Sequence, residues 1–207
     1  MYSVLRSTTN TLINLLEQRL SNHPQLGALF GGVLTVSAAT PEETRNDGQG
    51  VSIWLYRIER DEQTLNYPPR RLPNDSVEHR PLPLRLHYLV TPVFSNIGLG
   101  ANVSTTEQEV LGVVLQTFND LPILKGSLLQ DDLAGSDLQL AVRLESLDLE
   151  AITRIWDALE GSYQLSVSYE VSLVFIDSAR PAQSIAPVHS VHTDHGLVLG
   201  RDTAEAP

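Results

Sequence analysis

Three histidines fall three residues apart near the C-terminus, His189, His192 and His195, with Asp194 between the last two. Imidazoles at that spacing could meet around a metal ion if the backbone held them together. Their neighbours Ser190, Val191 and Thr193 carry no helical pattern. The stretch therefore reads as tail, and no metal site is assigned to it. His23, His79 and His87 stand alone in the sequence. A serine hydrolase needs a nucleophile, an imidazole base and an orienting acid, but no G-x-S-x-G elbow is present. Ser166 and Ser168 sit on a regular strand pattern, where they mark a solvent-facing or subunit-facing surface. Gly98 and Gly100 superficially match a phosphate loop, but the third glycine of a dinucleotide fingerprint is missing. Asp131 and Asp132 lie in a polar stretch without an apolar pocket to separate their pKa values. The chain has no cysteine, which removes thiolate metal sites, disulfides and a cysteine nucleophile. No catalytic residue and no cofactor is expected, and the chain reads as a non-enzyme.

The elements that would position side chains are clearer. Leu5, Leu12, Leu16 and Leu20 make one stripe, widened by Ile13 and Leu15, and predict a helix over residues 3–20 that ends at Asn22, His23 and Pro24. A short strand over 33–36 and a polar loop over 40–50 come next. Alternation predicts strands over 51–58, 84–90 and 138–144. Between the first two lies a long connection, 61–83, whose Pro68, Pro69, Pro73, Pro81 and Pro83 bar a central strand. Ser104-Thr-Thr-Glu107 reads as a capping box ahead of a helix bearing Val110, Leu111, Val114, Leu115 and Phe118. A third helix starts at Ser146 or Asp148, shows Leu149, Ile152, Ile155, Trp156 and Leu159 on one face, and stops at Gly161.

The strongest strand pattern is 164–176. Leu165, Val167, Tyr169, Val171, Leu173 and Phe175 point one way, and Ser166, Ser168, Glu170 and Ser172 the other. Burying each large apolar side chain stabilises by about 1.5–3 kcal/mol, so this strand belongs at the centre of the sheet. The fold class is α+β: a mixed β-sheet with about three helices packed on it, then an extended C-terminal tail. Residues 1–177 form the α+β domain and 178–207 the tail.

The formal net charge is −11, which opposes nucleic-acid binding, since phosphate neutralisation needs clustered Lys and Arg. No apolar run is long enough for a membrane span, and residues 1–20 are too interrupted by polar groups for a signal peptide. Charge is uneven: Arg57, Arg60, Arg70, Arg71, Arg80 and Arg85 fall together, whereas 101–160 is acidic. Such a subunit could stack head-to-tail.

Several blocks resemble one family. They are V-S-I-W-L-Y-R-I-E-R-D-E-Q-T-L-N at 51–66, P-L-P-L-R-L-H-Y-L-V-T at 81–91 and E-V-L-G at 109–112. I-W-D-A-L at 155–159, Y-Q-L-S-V-S-Y-E-V at 163–171 and Ile176-Asp177 complete the ordered set. The family is the cap, or tail-terminator, protein of extracellular contractile injection systems, which are phage-tail-like particles. The resemblance covers most of residues 1–177 and little of the tail. It implies a tail-terminator-like fold and a structural role: a ring, typically sixfold and here a homohexamer, that closes the distal end of the inner tube and meets the last layer of sheath. The implied partners are a copy of itself, the tube protein and the sheath protein, with neither nucleic acid nor membrane insertion. Assembly would take place in the bacterial cytoplasm, with release as part of the particle. The alternatives are an assembly chaperone or adaptor, or a baseplate-associated module. Arg70, Arg71, Arg80, His87, Ser166 and Ser168 are the candidate subunit or partner contacts.

Overall fold

The computed structural model describes residues 2–30, 35–47, 50–64, 68, 71, 72, 76–94 and 103–184. Helix α1 (Val4–Ser21) buries Leu12, Leu15, Leu16 and Leu20. It also buries Ser7, Thr8, Thr9 and Thr11, which a propensity argument would place elsewhere. Each of these hydroxyls donates to the carbonyl one turn back, at 2.7–3.2 Å, so none is left unsatisfied. The helix ends at Asn22, as expected.

Next come a short helix α2 (Gly27–Phe30) and strand β1 (Thr35–Ser37). The expected polar loop over 40–50 is instead largely helix α3 (Pro41–Asp47). Its cause is local. Thr40 Oγ1 accepts from the Glu43 backbone N–H at 3.3 Å, and the Glu43 carboxylate accepts from the Thr40 N–H at 2.9 Å. This is a capping box with proline at the first helical position.

Strand β2 (Gly50–Arg60) begins at a glycine with φ +143°, where an added Cβ would lie 1.9 Å from the Thr35 carbonyl oxygen. Only glycine lets β1 lie so close. Two-residue strands β3 (Arg71–Leu72) and β4 (Ser76–Val77) precede β5 (Leu82–Val93). β5 contains Pro83 and Pro92, so it reaches into the connection expected to be free of strand. Each proline is one residue from an end of the strand, where the missing N–H costs the ladder least.

Helix α4 (Val103–Asp120) starts ahead of Ser104, so that serine sits in the first turn and not at the cap. Strands β6 (Ile123–Lys125) and β7 (Gln139–Leu144) lead to α5 (Leu149–Ala158), which Asp148 caps by accepting from the Ala151 N–H at 2.7 Å. The left-handed residue after α5 is Glu160, φ 53°, and not Gly161. β8 (Val167–Ile176) and the two-residue β9 (Gln183–Ser184) complete the described chain.

The main sheet has six strands in the order β1-β2-β5-β8-β7-β6, with β1 and β2 parallel and every other pair antiparallel. β5 and β8 are therefore central, which agrees with the strength of the β8 pattern. α1 packs on β1, β2 and β8, and α4 packs on β5. Between helices and sheet lies the core. Leu55, Tyr88 and Tyr169 form one row across three strands, continued on β7 by the exposed Leu144, and the Tyr88 hydroxyl meets Thr9 Oγ1 at 2.9 Å. The Phe118 ring lies edge-on to Tyr169 at 4.7 Å.

The alternation of β8 does not run to its end. Leu86 faces Val171 but Leu84 faces Val174, so one extra residue is bulged into β8. Beyond the bulge Val174 is the buried residue, at 1% exposure, and Phe175 is half-buried. The expected inward place of Phe175 is thus taken by its neighbour, because a bulge reverses the facing of the residues beyond it. A second small sheet, β3-β4-β9, pairs the proline-rich connection with the start of the C-terminal segment.

Candidate functional site

The sheet face away from α1 and α4 carries the polar side chains. Strand register places Arg57 of β2, His87 of β5, Glu170 of β8 and Arg143 of β7 in one row, with Glu59 and Arg85 in the next. Tyr56 is an extra residue in β2, since Leu55 faces Tyr88 and Arg57 faces His87. Glu145, just past β7, donates its backbone N–H to the Ser168 carbonyl at 2.9 Å, which brings its carboxylate into the group.

The result is two bonded groups side by side, one around His87 and one around Arg85. His87, only 4% exposed, has Nδ1 at 2.9 Å from Glu145 Oε1 and Nε2 at 3.1 Å from Glu59 Oε2. Carboxylates only accept, so both ring nitrogens must donate and the geometry calls for imidazolium. Ser168 donates to Glu145 at 2.6 Å, and the Tyr56 hydroxyl lies 3.0 Å from Ser168 Oγ and 3.3 Å from Glu145. Arg85 donates twice to Asp61, at 2.8 and 3.1 Å, and lies 3.6 Å from Glu170. Arg57 pairs with Glu59.

These contacts shift the pKa values. Hydrogen bonding to Glu145 raises that of His87 against the cost of burial, with the charges of Glu145 and Glu59 adding to it. Burial pushes Glu145 up, but His87, Ser168 and Tyr56 together hold it below the usual carboxylate range. Asp61 is likewise lowered: burial opposes the charged form, and the bonds from Arg85, Gln63 and Thr64 outweigh it. Tyr56 is raised, chiefly by burial.

A pH dependence results. A raised imidazole stabilises the fold below its ordinary value of 6.5 and loses that contribution as pH rises through its folded value. A lowered carboxylate stabilises above its ordinary 4.5 and loses that as pH falls through its folded value. Together the pair is most stabilising between those two values. Urea unfolding measured from about pH 5 to about pH 9 should show a decline on the alkaline side, and His87→Gln should flatten it.

Ser168, Glu145 and His87 are not ordered as a serine-hydrolase triad. Ser168 contacts Glu145, and Glu145 contacts His87, so the carboxylate sits between hydroxyl and imidazole. The base cannot take the serine proton from there. His87, Glu145 and Glu170 have ligand atoms within 4.8 Å of one another and could share a cation. Positive charge is already supplied there, by the imidazolium and by Arg85.

Ser166 and Ser168 are not open to solvent: they are 7% and 3% exposed. Ser166 accepts from the Trp156 indole N–H at 3.2 Å, which ties α5 to β8. Arg71 opens β3 and Arg80 precedes β5, both exposed. Asp131 accepts from the Asn10 side-chain amide at 2.6 Å and Asp132 from the hydroxyl of Ser3 at the start of α1, so both fasten α1 to the segment between β6 and β7. Arg70, Gly98, Gly100, His189, His192 and His195 lie outside the described residues. Tyr56, Glu59, Asp61 and Glu145 were not singled out by the sequence, and Arg85 stood out only as part of a basic stretch. The one signal pointing their way was the outward row of Ser166, Ser168 and Glu170.

Near the Leu82 end of the sheet, a cleft of about 580 Å³ is lined by Arg60, His79, Arg80, Leu82, Phe175 and Asp177, among others. No described helix is long and apolar enough to cross a membrane.

Comparisons with known proteins agree with the architecture. The family model described as the Pvc16 N-terminal domain matches residues 7–190. The chain is similar to the sheath/tube terminator of an extracellular contractile injection system, PVC, in its extended state, with TM-score 0.58 and 16% identity over 94% of this chain. It is equally similar to the tube-terminating cap of the anti-feeding prophage, with TM-score 0.58, 16% identity and 94% coverage. It spans 64% and 61% of those two chains. No curated protein matches.

Proposed function

Because the chain belongs to the Pvc16 N-terminal domain family, we propose that it is the tail terminator of a contractile, phage-tail-like injection particle. It closes the distal end of tube and sheath, ends their polymerisation and stabilises the sheath. The observation that carries this reading is a fold likeness spanning 94% of the chain to two proteins that cap such tubes. The neighbours are structural, and the polar groups support the same role: each is bonded to a neighbour, and together they tie β2, β5 and β8 to one another and to the residue that follows β7. They form a brace and not a reaction centre.

In this reading the protein is a homohexameric ring that meets the tube protein on one side and the last sheath layer on the other. It is assembled in the bacterial cytoplasm and leaves with the particle. Arg70, Arg71 and Arg80, in or beside the proline-rich connection, are its contacts to tube or sheath. His87 and Ser168 act indirectly, by holding the strands that carry the contact surface.

Fusing a compact protein to the chain and imaging purified particles tests the reading. Extra density is expected at the end opposite the baseplate and nowhere else. Density at the baseplate, or none in mature particles, would replace the terminator with a baseplate module or a transient chaperone.

A further inference from the structure

Strand β7 outruns its outer neighbour. β6 pairs with it only from Lys125–Gln139 to Ile123–Ala141, and the Val142 N–H then donates to the Pro122 carbonyl at 2.8 Å. On the inner side β7 stays paired with β8 as far as Leu144, and the Glu145 N–H donates to the Ser168 carbonyl. The backbone groups of successive strand residues point to alternate sides. Val142 is bonded outward and Glu145 inward, so the N–H and C=O of Leu144 point outward. There β6 has ended, and the preceding residue, Leu121, already donates to Thr117 of α4. Among the described residues the Leu144 edge has no strand beside it, and an open edge is a template for another strand.

Next to this edge, on the helix side of the sheet, lies a groove of about 490 Å³. Leu115 and Phe118 of α4, Val142 and Leu144 of β7 and Tyr169 of β8 line it, and none of the described residues lining it is charged. Leu144 is 54% exposed. Tyr169 is buried, yet its hydroxyl has no hydrogen bond to a described residue. A buried polar group without a partner marks a place that an occupant completes. A strand added at Leu144 would bond the open backbone groups and send alternate side chains into the groove, which is how extended segments extend sheets. An uncharged groove accepts an uncharged, apolar segment.

The chain carries one such segment beyond β9: Gly196-Leu-Val-Leu-Gly200, three consecutive apolar residues between two glycines, outside the described residues. We propose that this segment docks on the Leu144 edge of its own copy as a short added strand, with Leu197 and Leu199 in the groove and Val198 on the opposite face. Its reach matches. Ser184 pairs with Ser76, six residues before Leu82, and Leu82 pairs with Ile176, seven residues along β8 from Tyr169, the partner of Leu144. That path is at most about 44 Å at about 3.4 Å per residue. The thirteen residues from Ser184 to Leu197 span up to about 47 Å when extended. A tethered segment that can reach its site meets it at an effective concentration of about a millimolar, which a separate copy in dilute solution does not match. The docked segment would close the one open stretch of β7 against strands of other chains. This contact does not depend on the terminator reading.

Hydrogen exchange of the full-length protein reads the Leu144 amide. It is expected to exchange at least tenfold more slowly than in the full-length Leu197→Asp/Leu199→Asp variant, whose charges the groove rejects. Leu197→Ile/Leu199→Ile should keep the protection, and thermal melts confirm that each variant is folded. The absence of native cysteine allows a second measurement. Arg143 is exposed and shares the face opposite the groove, so Arg143→Cys with Val198→Cys leaves the groove intact. Treated in dilute solution with a short bismaleimide, this pair should link within one chain at least tenfold faster than Arg143→Cys with Thr203→Cys, whose second thiol lies beyond the docked segment. Equal rates for the two pairs, or Leu144 exchange that the aspartates leave unchanged, would overturn the docking. If mixed single-cysteine proteins, Arg143→Cys and Val198→Cys, link to each other as readily as the double variant links to itself, the segment belongs to a neighbouring copy and the assignment to its own copy is wrong.

Discussion

Tyr169→Asp is expected to leave the protein without a cooperative fold. Tyr169 is 3% exposed at the centre of β8, in a row with Leu55, Tyr88 and Leu144, and under the edge of Phe118. The site resists charge: burial pushes the tyrosine's own hydroxyl up to about 12. Losing the ring forfeits about 2–3 kcal/mol of burial, and an unpaired carboxylate adds a penalty of several kcal/mol. A domain of ordinary stability holds about 5–15 kcal/mol in total, so the sum is a large part of it or all of it. Tyr169→Phe separates this cause from loss of the hydroxyl, and should stay within about 1 kcal/mol of the parent because that hydroxyl has no hydrogen bond to a described residue. Circular dichroism melts of the three proteins decide it. An aspartate variant that melts within a few degrees of the parent would mean that β8 faces the other way.

What the sequence revealed and what it concealed divide along physical lines. The α1 stripe and the alternation of β8 were legible because each repeats a local period over many residues. The two bulges were not. An extra residue at Tyr56, or one inserted after Val171, leaves the local composition unchanged and shows only in the pairing with β5. The polar network was concealed for another reason. Asp61 meets Arg85 across 24 positions and His87 meets Glu145 across 58, and no local pattern encodes such partners. α3 is a different case: Thr40, Pro41 and Glu43 spelled out a capping box, but the polar residues after them made the stretch look like a loop. Strands β3, β4 and β9 are two residues each, too short for any period to appear. Their pairing brings the proline-rich connection against the start of the C-terminal segment, two regions that the sequence treated as separate.

Deleting the gene is expected to leave tube and sheath subunits present but without control over their stacking. A tube grows by repeating one contact at every layer, so the helical array has no inherent last layer. A ring that binds the growing end and presents a different outer face removes the next docking site. In this chain the two faces differ for a structural reason. One side of the sheet is covered by α1 and α4, and the other carries the polar row of Arg57, His87, Glu170 and Arg143. A subunit with unlike faces can bind a tube end with one and offer the tube protein nothing with the other. Without it, electron microscopy of the deletion strain should show sheaths that are absent, unstable or irregular in length, and the particles should fail to inject. Returning the gene should restore uniform length, whereas returning it with Tyr169→Asp should not, since that variant does not fold. Uniform, firing-competent particles in the deletion strain would show that another protein ends the tube, and would move this chain to the role of an assembly adaptor.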